Sequence, residues 1–280
     1  MIQSVFGYPV DVSAYQDFGF LLHYGEPFWC QVRPSAGQVC FGMESARYGR
    51  LLIKFAGAPL NGGLAPEAAA LRLQQAARLY ELLYPHPALV KLQGHGPAAG
   101  GYAAIFRWPE GESLRGEAAQ ETLRRQPLLT RLRMLDRVFD FQLNAVEQGY
   151  MPVGFDEGSL TADFTAGQIT VCDIDLYRPL PAINDQGRME GSPRFLSPEE
   201  TTLGAALDDV TAQYALGALA CFFLSRYGSG ERQDWEAGDG LYQAAVRACQ
   251  EKREKRFSSL ADFVQTWRQE AGKAFRHTIS

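Results

Sequence analysis

Few side chains in this sequence have both the chemistry and the spacing that a reaction needs. Asp173 and Asp175 follow an apolar, strand-forming run, Ile169-Thr170-Val171-Cys172. Both are hard oxygen donors, as is the Ser159 hydroxyl. Asp156, with Glu157 beside it, is a carboxylate that could serve as a general base. Lys54 interrupts the apolar run Leu51-Leu52-Ile53-Lys54-Phe55 with a cation. The plainer roles are a solvent-facing strand lysine and a solvated turn at 156–159. Five cysteines (Cys30, Cys40, Cys172, Cys221, Cys249) are widely spaced with no C-x-x-C, and four of them lie in apolar runs where reduced Cys packs as a small core residue. The four histidines form no H-E-x-x-H. Zinc hydrolysis, a Cys–His nucleophile and a disulfide framework are therefore not indicated.

The elements that must position these residues follow from periodicity. Residues 28–32, 38–42 and 50–55 are β-rich runs separated by the turn-forming stretches 34–37 and 45–49, which predicts an antiparallel meander. Pro66-Glu67 opens a helix with proline and an acid in the first turn, and Pro85 and Pro87 end it. A short β region spans 102–106. Leu128, Leu132, Leu135, Phe139, Leu143 and Val146 then recur at helical spacing and predict a long amphipathic helix. Two short strands follow around 160–164 and 169–172, and the remainder is helical, with 205–225 apolar on nearly every side. The expected division is a β-rich front lobe at 1–108 and a helical back lobe at 109–280.

The whole chain has 280 residues, 46% of them hydrophobic and 21% charged, which excludes a disordered or collagen-like chain and a coiled coil. A net charge of −5 implies no basic face for nucleic acid. The longest apolar stretch, 215–224, is about half the roughly 20 residues that cross a bilayer. The first residues show no basic region followed by an apolar core, so no membrane association and a cytoplasmic location are expected.

Written on this order of elements are words that resemble the eukaryotic-type serine/threonine protein kinase family, as in a divergent, bacterial-like member. The resemblance covers residues 28–268. Lys54 resembles the V-A-I-K lysine that holds nucleotide phosphates. His86-Pro87-Ala88-Leu89-Val90-Lys91-Leu92 is similar to H-P-N-I-V-K-L. Phe106-Arg107-Trp108-Pro109-Glu110-Gly111 resembles the hinge, with Phe106 as gatekeeper and Arg107 and Trp108 offering backbone to adenine. Val171-Cys172-Asp173-Ile174-Asp175 is similar to the strand ending in D-F-G, so Asp173 is implied as the metal aspartate, Asp175 stands in the glycine place, and both with the Ser159 hydroxyl are implied as oxygen ligands of the type that Mg²⁺ accepts. Ser197-Pro198-Glu199 resembles A-P-E, and Glu254-Lys255-Arg256 resembles P-E-K-R, whose arginine pairs with that glutamate. The implied fold is α+β and bilobal, a small β-rich lobe with one helix and a larger helical lobe.

The departures bear on function. If Val39 is the valine of G-x-G-x-x-G-x-V, only Gly37 survives of three glycines, the others being Val32 and Pro34. Glu147 to Gly154 matches K-G-I-V-H-R-D and leaves Gly154 where the base aspartate belongs, with Ser159 in the asparagine place. Asp156 is the candidate substitute base. The helix acid that would pair with Lys54 is either Glu67 or Glu81; counting back from Pro87 lands on Ala77. The first expectation is an ATP-dependent phosphotransferase acting on Ser/Thr of a protein, with Mg²⁺ or Mn²⁺ and a weakened catalytic loop. The alternative is a pseudokinase, a nucleotide-binding or scaffold module with a regulatory protein partner. A small-molecule kinase is disfavoured by Ser197-Pro198-Glu199 with Arg256.

Overall fold

Glycine and proline turns cut the first hundred residues into short antiparallel strands. In the computed structural model, which describes residues 1–279, the chain is mixed α+β and divides into two compact units. The first comprises Met1–Pro85 and Leu89–Pro109; the second comprises His86–Ala88 and the chain from Glu110 onward. His86–Ala88, inside the expected front segment, thus group with the second unit.

The first unit opens with a hairpin of β1 (Ile2–Val5) and β2 (Tyr8–Asp11). Then come β3 (Glu26–Arg33), β4 (Gln38–Ser45), β5 (Gly49–Ala56), helix α1 (Pro66–Leu83), β6 (Leu92–Ala98) and β7 (Gly101–Arg107). The five later strands form one antiparallel sheet in the order β3-β4-β5-β7-β6. Pro66 and Glu67 occupy the first turn of α1, where a missing N–H and a negative charge are both favourable. Ala69, Leu73, Ala76, Tyr80 and Leu83 form its buried stripe.

Register decides which side chains share a face, because residues directly opposite across an antiparallel pair point the same way. Val39 lies opposite Phe55 and Phe41 opposite Ile53. These residues pack with Val5, Val10, Val12, Phe18 and Leu21, so the amino-terminal segment covers that face of the sheet. Lys54 lies opposite Cys40 and Ala104, and Leu52 opposite Gly42 and Phe106, on the other face.

The second unit contains β8 (Glu112–Ser113), α2 (Glu117–Arg125), α3 (Leu128–Glu147), β9 (Tyr150–Met151), β10 (Leu160–Asp163), β11 (Gln168–Val171), β12 (Arg178–Pro179), β13 (Ala182–Ile183), β14 (Ala206–Leu207), α4 (Asp209–Leu224), α5 (Asp239–Ala248) and α6 (Leu260–Ile279). Its sheets are small and antiparallel, β11-β10-β8 being the largest. Asp208 caps α4 by accepting from the N–H groups of Val210 and Thr211 while the Thr211 hydroxyl oxygen accepts from the Asp208 N–H. Buried residues surround α4 on all sides, as its uniformly apolar sequence requires. Among the described residues no helix is long and apolar enough to cross a membrane.

Candidate functional site

In the first unit Lys54 projects from the middle of β5 onto α1 and is only 3% exposed. Its ammonium donates to the Tyr80 hydroxyl at 3.2 Å and stands 5.5 and 5.6 Å from the ring centres of Tyr80 and Phe106. The two rings meet edge to face at 4.7 Å. An amine this deep needs such hydrogen-bonding and π-face contacts to offset its lost hydration. The helix pattern explains the choice of Tyr80: Ala77 is fully buried, and Tyr80 follows one turn later on the same stripe. Glu81 instead meets His95 Nε2 at 3.1 Å, and Glu67 lies exposed in the first turn of α1. The Tyr80→Phe substitution, which removes only the hydroxyl, is expected to cost about 1 kcal/mol in urea unfolding.

The expected glycine loop is a closed turn. Pro34–Ala36 form one turn of 3₁₀ helix, and Gly37 ends it in the left-handed region at φ +65°. Its N–H donates to Pro34 O at 2.8 Å, and Pro34 O also accepts from Leu64 N–H at 3.2 Å. A β-carbon on Gly37 would stand 3.3 Å from the Leu64 β-carbon and closer still to that of Ala69. This glycine is therefore required for packing onto the start of α1, and its N–H is already spent on Pro34. Val39 corrects the sequence reading further. It points into the core with Phe55, on the face away from Lys54, so it does not line the same surface as the lysine.

Phe106 is buried beside Lys54. The backbone donors after it already have acceptors. The Arg107 N–H donates to Lys91 O at 2.8 Å and the Trp108 N–H to Arg50 O at 2.9 Å, while Pro109 has no N–H. The Trp108 ring packs on Phe28 at 4.8 Å and Trp29 at 5.6 Å, and the Arg50 guanidinium lies 5.1 Å from its centre. Gly42 leaves room for this cluster: a β-carbon there would be 2.7 Å from Trp108 Cζ3 and 2.8 Å from Phe28 Cζ.

In the second unit Gly154 adopts φ +66°, and a β-carbon there would lie 2.6 Å from Leu176 Cδ1 and 3.0 Å from Glu190 O. Two residues later Asp156 caps the turn Glu157–Ser159: one oxygen accepts from the Gly158 N–H at 2.9 Å and the other from the Ser192 N–H at 3.3 Å. Burial pushes its carboxyl pKa up, Arg115 and these two N–H groups pull it down, and the Asp173 charge adds an upward push. The structure thus brings Asp156 and Asp173 into one electrostatic neighbourhood. Ser159 is buried nearby, its carbonyl accepting from the Cys172 N–H at 2.8 Å. Asp173 accepts from the Asp175 N–H at 3.3 Å.

Among the described residues no group of three or more His, Cys, Asp or Glu side chains is placed to hold a metal ion. Mg²⁺ takes only one or two carboxylates and completes its sphere with water or phosphate, and Asp173, Asp175 and the Ser159 hydroxyl are donors of that type.

Sequence reasoning missed Tyr80, Arg115, Ser192 and Glu200. Glu200 is 3% exposed and accepts from the Ser197 N–H and hydroxyl, both at 2.9 Å, and from the Gly154 N–H. Burial raises its pKa. The signal was a second acid beside Glu199. The pair implied by the resemblance is present: Arg256 Nη2 lies 3.1 Å from Glu199 Oε2, both side chains buried, with Arg253 3.4 Å from the other oxygen. No protein-family model matches the chain, and no curated protein matches it significantly.

Proposed function

We propose that the chain is a protein-kinase-like module that works by binding a regulatory protein partner, a pseudokinase, and not by phosphoryl transfer. The kinase-like part of this reading is supported by the element order, three strands, a helix and two strands followed by a helical unit, and by the buried Glu199–Arg256 pair. The observation that carries the loss of catalysis is Gly154. A side chain at the base position would meet Leu176 and Glu190, in a backbone conformation that favours glycine. Asp156, the substitute, is held as the cap of its own turn, each oxygen accepting from a backbone N–H. The spent donors at 107–109 and the closed turn at Gly37 argue in the same direction for ATP.

The test is ligand-induced stabilisation by ATP with Mg²⁺. A ligand at about 100 times its Kd stabilises by about 2.7 kcal/mol, which raises the melting temperature by roughly 5–10 °C in a chain of this size. At millimolar ATP the expected shift is within about 1 °C. A shift of the larger size that disappears in Lys54→Ala would restore the nucleotide-binding reading. The phosphotransferase reading keeps one observation in its favour, the nearness of the Asp156 and Asp173 charges.

A further inference from the structure

We propose that His86, Pro87 and Ala88 form an acid-labile clip: the neutral His86 ring locks this turn onto α3 and β11, and a protonated ring releases it. His86 Nδ1 accepts from the Ala88 N–H at 3.1 Å. Only a lone pair can accept, so the ring hydrogen sits on Nε2, which faces Asp140 Oδ2 at 3.3 Å. The ring stands edge-on to Phe141 with centres 5.2 Å apart. The rest of the turn is held by its carbonyls: Pro87 O accepts from the Arg137 guanidinium and Ala88 O from the Val171 N–H at 2.7 Å. Val171 ends β11, two residues before Asp173, so the clip is fastened to the strand that places that carboxylate.

A second ring proton would place an N–H on Nδ1 directly against the Ala88 N–H. Two donors would then face each other, the bond would be lost, and the ring would have to turn away from Ala88. The charged groups around the ring are Asp140 and Arg137 from α3 and, from α6, Arg268, which lies 2.6 Å from both Asp140 and Asp136. β11 contributes no charge, its residues being Gln168, Ile169, Thr170 and Val171. Asp140 favours the protonated ring, but its charge is shared with Arg268, while burial and Arg137 disfavour it. Burial is the largest influence, and it holds the His86 pKa below the ordinary histidine value. The unfolded ring takes its proton near about pH 6.5, so the stabilisation is complete above that value and is lost as pH falls through the lower folded pKa. The clip does not depend on whether the chain transfers phosphate.

The test uses the full chain and amide hydrogen exchange at Ala88 and Val171, corrected for intrinsic rates, between about pH 7 and 4.5. The His86→Asn variant supplies a side-chain oxygen to the Ala88 N–H that does not titrate. Protection in the wild type is expected to fall about fivefold across this range, the factor equivalent to one hydrogen bond worth about 1 kcal/mol, and to stay flat in His86→Asn. The same pH dependence in both proteins would overturn the clip. A nuclear magnetic resonance titration of the wild-type ring decides the matter without the variant: a folded pKa above the ordinary value would mean that Asp140 governs the ring, and the clip would fail.

Discussion

Replacing Gly154 with aspartate is expected to lower stability by about 2–5 kcal/mol and to leave phosphoryl transfer no faster than before. The substitution restores the residue type that a catalytic loop of the H-R-D kind would carry, so a simple loss-of-residue account predicts a gain of activity. The local geometry predicts the opposite. A left-handed backbone costs an L-residue about 1–2 kcal/mol, and forcing atoms into filled space costs a further 1–3 or so. The filled space is real at Gly154, where a β-carbon would lie 2.6 Å from Leu176 Cδ1 and 3.0 Å from the Glu190 carbonyl. The Gly154 N–H is also bonded to the buried Glu200 carboxylate, so a shifted loop would strand that acid. Scanning calorimetry should show a melting temperature lower by roughly 5–15 °C. An unchanged melting temperature together with new metal-dependent transfer would mean that the loop accommodates the base after all.

Arg256→Ala is expected to be still more damaging, by about 3–5 kcal/mol in urea unfolding, because it leaves a buried carboxylate without its main partner. The Arg256 side chain is 0% exposed. It donates to Glu199 at 3.1 Å and to the carbonyls of Gln250 at 2.7 Å, Val210 at 3.3 Å and Glu251 at 3.3 Å, and it lies over the Tyr214 ring. Arg253 keeps a 3.4 Å contact to Glu199, which limits the loss but does not replace the carbonyl bonds. Removing both charges with Glu199→Leu and Arg256→Met should recover a good part of the stability, since the cost lies in the orphaned charge more than in the missing attraction. If the double variant is as unstable as the single one, the damage comes from the lost carbonyl contacts instead.

Much of the architecture was legible because it rests on strong local signals. The three strands of the meander, the proline-opened helix from Pro66 and the long helix from Leu128 each carry their own period and punctuation. The amino-terminal hairpin and α2 were not legible. β1 and β2 are four residues each, too short for a period, and they gain their place by covering the face that holds Val39 and Phe41. That cover also explains the misreading of Val39. Motif counting gave its distance from Gly37 but not the face on which it lies, and a one-residue offset on a strand exchanges core for site. Lys54 stood out through its word; its bond to Tyr80 did not, because an acid was sought on α1 and the hydroxyl of Tyr80 looks like one more apolar residue on the buried stripe. The Glu199–Arg256 pair, separated by more than fifty residues, came only through the resemblance, since nothing in spacing or charge links the two.

The most direct test of the proposed pseudokinase role is a single-turnover measurement of γ-phosphate transfer from ATP, with Mg²⁺ and then Mn²⁺, to the chain itself and to dephosphorylated casein, for the wild type and Asp156→Asn. Loss of a general base slows proton transfer by about 10²–10⁴-fold, so a working Asp156 would separate the two proteins widely. The expected result is transfer at background in both, with the Asp156→Asn protein less stable because the Gly158 and Ser192 N–H groups lose their carboxylate acceptor. Metal-dependent transfer by the wild type that falls at least a hundredfold or so in Asp156→Asn would contradict it and make this chain an enzyme with a relocated base.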